Sequence, residues 1–60
     1  MTTKELYETN KSFKEYVDRC LNNTNEVLKY CNQKLKTVDD VLAEMITQEV
    51  AEYYISKERN

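Results

Sequence analysis

Apolar side chains recur at helical spacing along almost the whole chain. From Phe13 onward, Phe13, Val17, Cys20, Val27 and Cys31 follow a four-three spacing, with Thr24 in the same register. Leu21, Leu28 and Leu35 flank this seam on one side and Tyr16 on the other. At about 100° per residue the apolar arc spans roughly 140°, the width that packs against another helix. The pattern predicts one long helix over about 13–35. Its weak point is the run Asn22-Asn23-Thr24-Asn25, whose residues have middling to poor helix propensity. A soft or bent middle is the favoured reading, and a break there the alternative.

The last segment is apolar on two faces. Val38, Val41, Leu42 and Met45 line its first half, and Ile46, Val50, Tyr53 and Tyr54 its second, rotated by roughly 100°. Read as one helix over 38–57, it is apolar over about 220° of arc, more than one antiparallel neighbour covers. A short helix over about 3–9, with Leu6 and Tyr7, a second copy of the chain, or a different protein are the three candidate covers.

Capping chemistry marks the helix starts. Thr2 stands three residues before Glu5, Ser12-Phe13-Lys14-Glu15 has the S-x-x-E form of a capping box, and Thr37 precedes Asp39 and Asp40. Between the last two helices the turn needs a left-handed residue, which Asn32 or a nearby Lys supplies. The predicted architecture is therefore all-α: a single domain over 1–60, an antiparallel helical hairpin with a short N-terminal helix, in a dimeric bundle.

Composition sharpens this picture. The 60 residues contain no Gly, Pro, Trp or His. The residues of tight hairpin turns are thus absent, as is the commonest general base and metal ligand. No run of 18 apolar residues occurs, so no membrane span is expected. The opening Met1-Thr2-Thr3-Lys4-Glu5 lacks the apolar core of a signal peptide, which predicts a cytoplasmic protein. Cys20 and Cys31 are about three helical turns apart, beyond disulfide reach on one helix. They are expected to be reduced and buried; a disulfide across a dimer is the alternative, and zinc lacks its ligands.

The net charge of −2 is unevenly spread. Residues 1–36 hold seven bases against five acids, and residues 37–60 two bases against six acids. Halves of opposite sign favour packing on one another, and the acidic half repels phosphate, so direct nucleic-acid binding is not expected. Glu49–Glu52 and Asp39–Asp40 are carboxylate pairs without an enclosed cleft, and read as solvated faces rather than as a metal or catalytic site. No enzyme activity, cofactor or metal is expected. A phosphate-mimicking acidic strip is the sharper reading of Asp39, Asp40, Glu44, Glu49 and Glu52, and a plain wet face the favoured one.

Two features point to a partner surface. By helical angle Glu49 falls inside the apolar arc, as a boundary residue or an interface carboxylate that sets pairing specificity. Five tyrosines against one Phe suit half-buried rims and interfaces. Tyr30 is expected on the surface, and Tyr53 and Tyr54, being adjacent, cannot both face one core. The candidate partner-binding residues are Glu49, Val50, Glu52, Tyr53 and Tyr54.

The segments Glu5-Leu6-Tyr7-Glu8-x-Asn10, Phe13-Lys14-x-Tyr16-Val17-Asp18, Tyr30-Cys31, Thr37 to Leu42 and Gln48 to Tyr54 resemble short helical proteins of phages and mobile elements of Gram-positive bacteria. The resemblance implies no particular activity. Some small phage proteins of this style, anti-CRISPR proteins among them, block host defence by binding the effector. A binding module directed at a host protein is the expected function, with a self-associating structural bundle as the alternative.

Overall fold

The computed structural model describes residues 2–59. Among them the chain is all-α, with four helices and no strand: α1 (Thr3–Thr9), α2 (Lys11–Tyr30), α3 (Val38–Glu44) and α4 (Gln48–Arg59). The long α2 is the spine. α1 folds back on it, α3 packs against it, and α4 returns antiparallel to it, bringing Tyr54 against Phe13.

α1 has the predicted bounds. Thr2 accepts a hydrogen bond at Oγ1 from the Glu5 N–H (3.1 Å) and donates from Oγ1 to Glu5 Oε1 (3.2 Å). α2 starts earlier than the Ser12 box predicts. Asn10 is its cap, accepting at Oδ1 from the Phe13 N–H at 2.9 Å, which leaves Ser12 inside the first turn and exposed. The backbone N–H of Asn10 also donates to Leu6 O (2.8 Å), closing α1. One buried residue thus ends one helix and begins the next, with a donor left over that reaches Tyr54 O (3.3 Å).

The asparagine-rich run does not break α2, which is continuous to Tyr30. It ends five residues before the predicted Leu35. There the Gln33 N–H donates to Leu28 O (2.9 Å) and the Asn32 N–H to Lys29 O (3.3 Å), with Asn32 at φ 56°. This is a Schellman stop, with Asn in the position usually given to Gly. Asn25 fastens the return loop: it accepts from the Lys36 N–H (2.7 Å) and donates to Lys36 O (3.0 Å), satisfying both polar groups of one peptide residue.

The single last helix of 38–57 is instead two. Thr37 and Asp40 form a full capping box at the start of α3. The helix then stops at Glu44, and Thr47 Oγ1 accepts from the Val50 N–H (3.3 Å) to begin α4. The interruption at 45–47 accounts for the 220° arc. Two apolar faces offset by about a quarter turn cannot both meet one neighbour on a straight helix, but a non-helical joint re-aims the second toward the same core. β-branched Ile46 and Thr47 make the joint cheap to open. Ile46 packs inward at the joint.

The core is Leu6, Phe13, Val17, Val41, Leu42 and Ala51. Leu6 is 1% exposed, so α1 supplies cover that the sequence reading left open among three candidates. One chain therefore covers most of the apolar surface that its last segment presents.

The core does not extend the length of the spine. The molecule measures 42 × 18 × 16 Å, and every buried residue of α2 lies before Leu21. Cys20 is half-buried, but Cys31 is exposed, against the expectation that both thiols are buried; the seam that carries Cys31 outruns α3. Both cysteines are free.

Candidate protein-binding surface

The five candidate residues all lie on α4, and the helix sorts them into two roles. Tyr54 turns into the core. Its ring meets Phe13 edge-on at 5.5 Å between centroids and lies 5.7 Å from Tyr16. Val50 is half-buried against the same core. Glu49, Glu52 and Tyr53 face outward and are exposed, Tyr53 at 61%. The sequence thus identifies one tyrosine of the adjacent pair as surface, and the structure makes it Tyr53.

Tyr53 is exposed but not unsupported. Its ring stands edge-on to the half-buried ring of Tyr54 at 5.2 Å and 88°, which supports it from one side. At about 100° per residue, Glu52, Glu49 and Tyr53 occupy one outward arc of roughly 100°, with Val50 at its edge. Among the described residues neither Glu49 nor Glu52 enters an ion pair. Glu52 accepts from the Gln48 side chain (3.1 Å). The placement of Glu49 inside an apolar arc is overturned by the joint at 45–47, because rotating α4 takes Glu49 off the face shared with Leu42 and Met45.

Several other charges are used within the fold. Lys4 pairs with Asp39 (2.8 Å), tying α1 to α3. Lys36 reaches Glu44 at 3.0 and 3.1 Å across α3. Tyr7 donates to Asp18 (2.6 Å), whose other oxygen takes Lys14 (2.9 Å), and the Lys14 ammonium lies 5.2 Å from the Tyr7 ring centre. The Tyr7 hydroxyl and then Lys14 hold the Asp18 carboxyl below the usual carboxylate range; the same bond to Asp18 raises the Tyr7 hydroxyl. At the start of α3 the Thr37 backbone N–H, then its hydroxyl, lower Asp40. These groups position helices and are not aimed at a common point.

A depression of about 260 Å³ lies where α1, α2 and α4 meet, lined by Thr9, Asn10, Lys11, Ser12, Tyr54 and Lys57. Among the described residues that line it there is no carboxylate or imidazole. Among the described residues no three His, Cys, Asp or Glu side chains gather to hold a metal ion, and no helix is long and apolar enough to cross a membrane.

A second surface runs along the far part of α2, where Val27 and Cys31 are expected in a buried seam and Tyr30 on the surface. Val27 is 62% exposed and Tyr30 86%. Cys31 is exposed beside them, and Met45 (44% exposed) comes within 3.7 Å of Thr24 at the near edge. Periodicity identifies this face as apolar; it carries no sign of where the covering helix stops. Comparison of the chain with protein-family models, curated proteins and solved structures finds no match.

Proposed function

We propose that this chain is a non-enzymatic protein-binding module whose α4 face docks on a basic, partly apolar patch of another protein. One observation carries the reading: Glu49 and Glu52, without cationic partners among the described residues, stand beside an exposed tyrosine that packs edge-on against a half-buried ring. An aromatic side chain fixed before binding loses little rotamer entropy on docking, and tyrosine is among the residues that dominate interface energies. Two uncompensated carboxylates at its side favour a cationic counterpart and speed encounter with it. The likeness to small phage proteins makes a host defence protein the first class of partner to test.

The test is capture from a Gram-positive host lysate with the wild-type chain, followed by titration of the purified captured protein. Tyr53→Ala is expected to weaken binding at least tenfold, in line with an interface anchor of about 2 kcal/mol. The charge reversals Glu49→Lys and Glu52→Lys together are expected to abolish binding at low salt. The reading is overturned if these variants, folded by circular dichroism, bind as well as wild type, or if the wild-type chain retains nothing that they do not.

A further inference from the structure

The joint at 45–47 separates two helices that the backbone is otherwise ready to join. Met45, Ile46 and Thr47 include neither Gly nor Pro, and Met45 already lies in the right-handed helical region at φ −113°, ψ −18°. Among the described residues the backbone N–H groups of Ile46, Thr47, Gln48 and Glu49 find no partner, and the Thr47 hydroxyl caps α4 through Val50 alone. A continuous helix pairs those four groups with the carbonyls of Leu42, Ala43, Glu44 and Met45. α4 packs on α1 and α2 rather than on α3. We propose that two copies of this chain exchange α4, each joint straightening into one helix over 38–59 whose second half seats on the α1 and α2 of the other copy.

The seat itself says what fills it. In the closed chain Ala51 is buried, Val50, Tyr54 and Ile55 pack on the core, and the Tyr54 ring meets Phe13 at 5.5 Å. An exchanged α4 makes these same contacts with an identical copy, so the swap forfeits none of them. A hinge of three residues is also of the short kind that invites exchange.

Helical geometry supplies the reason for the straight form. Continued from α3 at about 100° per residue, Val50, Ala51, Tyr54 and Ile55 centre about 160° round from Val41 and Leu42. With Ala51 and Ile55 turned in and Tyr53 turned out, the two buried faces of a straight helix are thus almost opposed. One core cannot meet both along a straight helix; two cores, one on each side, can. The closed chain resolves the conflict by breaking the helix, and a lone open chain strands the α4 face in water. Exchange keeps both the unbroken ladder and the two buried faces. The pairs Lys4–Asp39 and Lys36–Glu44 lie wholly before the joint and are left intact. Nothing here depends on a partner for Glu49, Glu52 or Tyr53, so either this inference or the docking reading stands if the other falls.

Sedimentation velocity of the full chain, refolded from urea in a reducing buffer at about 10 µM and at about 0.5 mM, tests it. The concentrated sample is expected to contain a species of twice 7.2 kDa that reverts slowly on dilution, because α4 must leave its seat to exchange. In dimers co-refolded from isotope-labelled and unlabelled copies, a filtered NOE is expected between Phe13 of one chain and Tyr54 of the other. Gln48→Pro probes the hinge. Gln48 is the first residue of α4, where Pro is tolerated, whereas in a continuous helix the ring clashes with the Glu44 carbonyl. This variant is expected to keep wild-type helicity and to weaken dimerisation at least tenfold. Thr47→Ala removes the cap and favours helix through the joint, and is expected to strengthen dimerisation severalfold. A wild-type chain that stays monomeric at the higher concentration overturns the proposal. So does a dimer whose Phe13–Tyr54 NOE is confined to one chain, or one that Gln48→Pro, folded by circular dichroism, leaves undiminished. Should Gln48→Pro fail to fold, the NOE between wild-type chains decides.

Discussion

Replacing Asn10 with Ala removes a side chain that caps α2 and reaches across to α4. Its Oδ1 accepts from the buried Phe13 N–H at 2.9 Å, and its Nδ2 reaches Tyr54 O at 3.3 Å. Loss of an N-cap costs about 1 kcal/mol, and leaving a buried donor unpaired costs about 1–3 kcal/mol. Both figures describe largely the same lost bond, so about 2 kcal/mol is the expected total, with the longer bond to Tyr54 adding little. A 60-residue domain has roughly 3–9 kcal/mol in all. At about 4–8 °C per kcal/mol for a domain this small, the melting midpoint falls by about 8–16 °C. Urea and thermal unfolding followed by circular dichroism measure this directly. Asn10→Asp keeps the acceptor and is expected to lie between wild type and Asn10→Ala. Ser12→Ala, at the position where sequence places the cap, is expected to stay within about 0.5 kcal/mol. The reasoning is refuted if Asn10→Ala is as stable as wild type, or if Ser12→Ala is the costlier change.

Other expectations follow from the packing and the charge pairs. Phe13→Ala empties the centre of the core, at a cost of about 3–5 kcal/mol, and is expected to leave the chain largely unfolded at 37 °C by near-ultraviolet circular dichroism. Asn25→Ala frees the return loop at Lys36 and is expected to speed tryptic cleavage after Lys34 and Lys36 severalfold with little change in the core; unchanged cleavage counts against the latch. Asp18 and Asp40 are lowered in the folded state, so their contribution is complete above the unfolded carboxyl value of about 4 and is lost as pH falls through the lower folded values. Tyr7 is raised, so its contribution is complete below about pH 10 and is lost as pH climbs through the higher folded value. Urea midpoints across pH check both limbs, and Asp18→Asn with Asp40→Asn is expected to flatten the acid one.

Periodicity and caps carried a good part of this fold. Spacing alone puts Phe13 and Val17 on one face of α2 and Val41 and Leu42 on one face of α3, and all four are buried. Thr2, Thr37 and Asn32 do what their chemistry offers, because capping and left-handed turns are local. What escaped was decided by tertiary contact. Asn10, not Ser12, is the buried cap, and its Nδ2 also reaches Tyr54 O, 44 residues away. The joint at 45–47 left a trace, since the apolar face rotates there and Thr47 precedes an acidic first turn, but the same rotation reads equally as a wide face awaiting cover. Asn25 looks like a weak helix residue until Lys36 comes back to meet it. On α4, adjacency showed that Tyr53 and Tyr54 must part; which one faces out follows from the rotation that the joint imposes.

The stop of the core partway along α2 also grades how firmly the backbone is held. Before Leu21, the buried Phe13 and Val17 back the ladder of α2, and amide protons beside them are expected to open only with the whole domain. From Glu26 to Tyr30, no fully buried side chain backs the ladder, and the Schellman stop, the Asn25 latch and the half-buried Leu28 oppose fraying. Amide exchange there is expected to be faster by orders of magnitude than at Val17, since local opening costs far less than global unfolding. Whatever settles on that end must slow exchange, whereas a ligand confined to the outer face of α4 leaves it fast. The spine thus carries its own occupancy gauge, read residue by residue without a label.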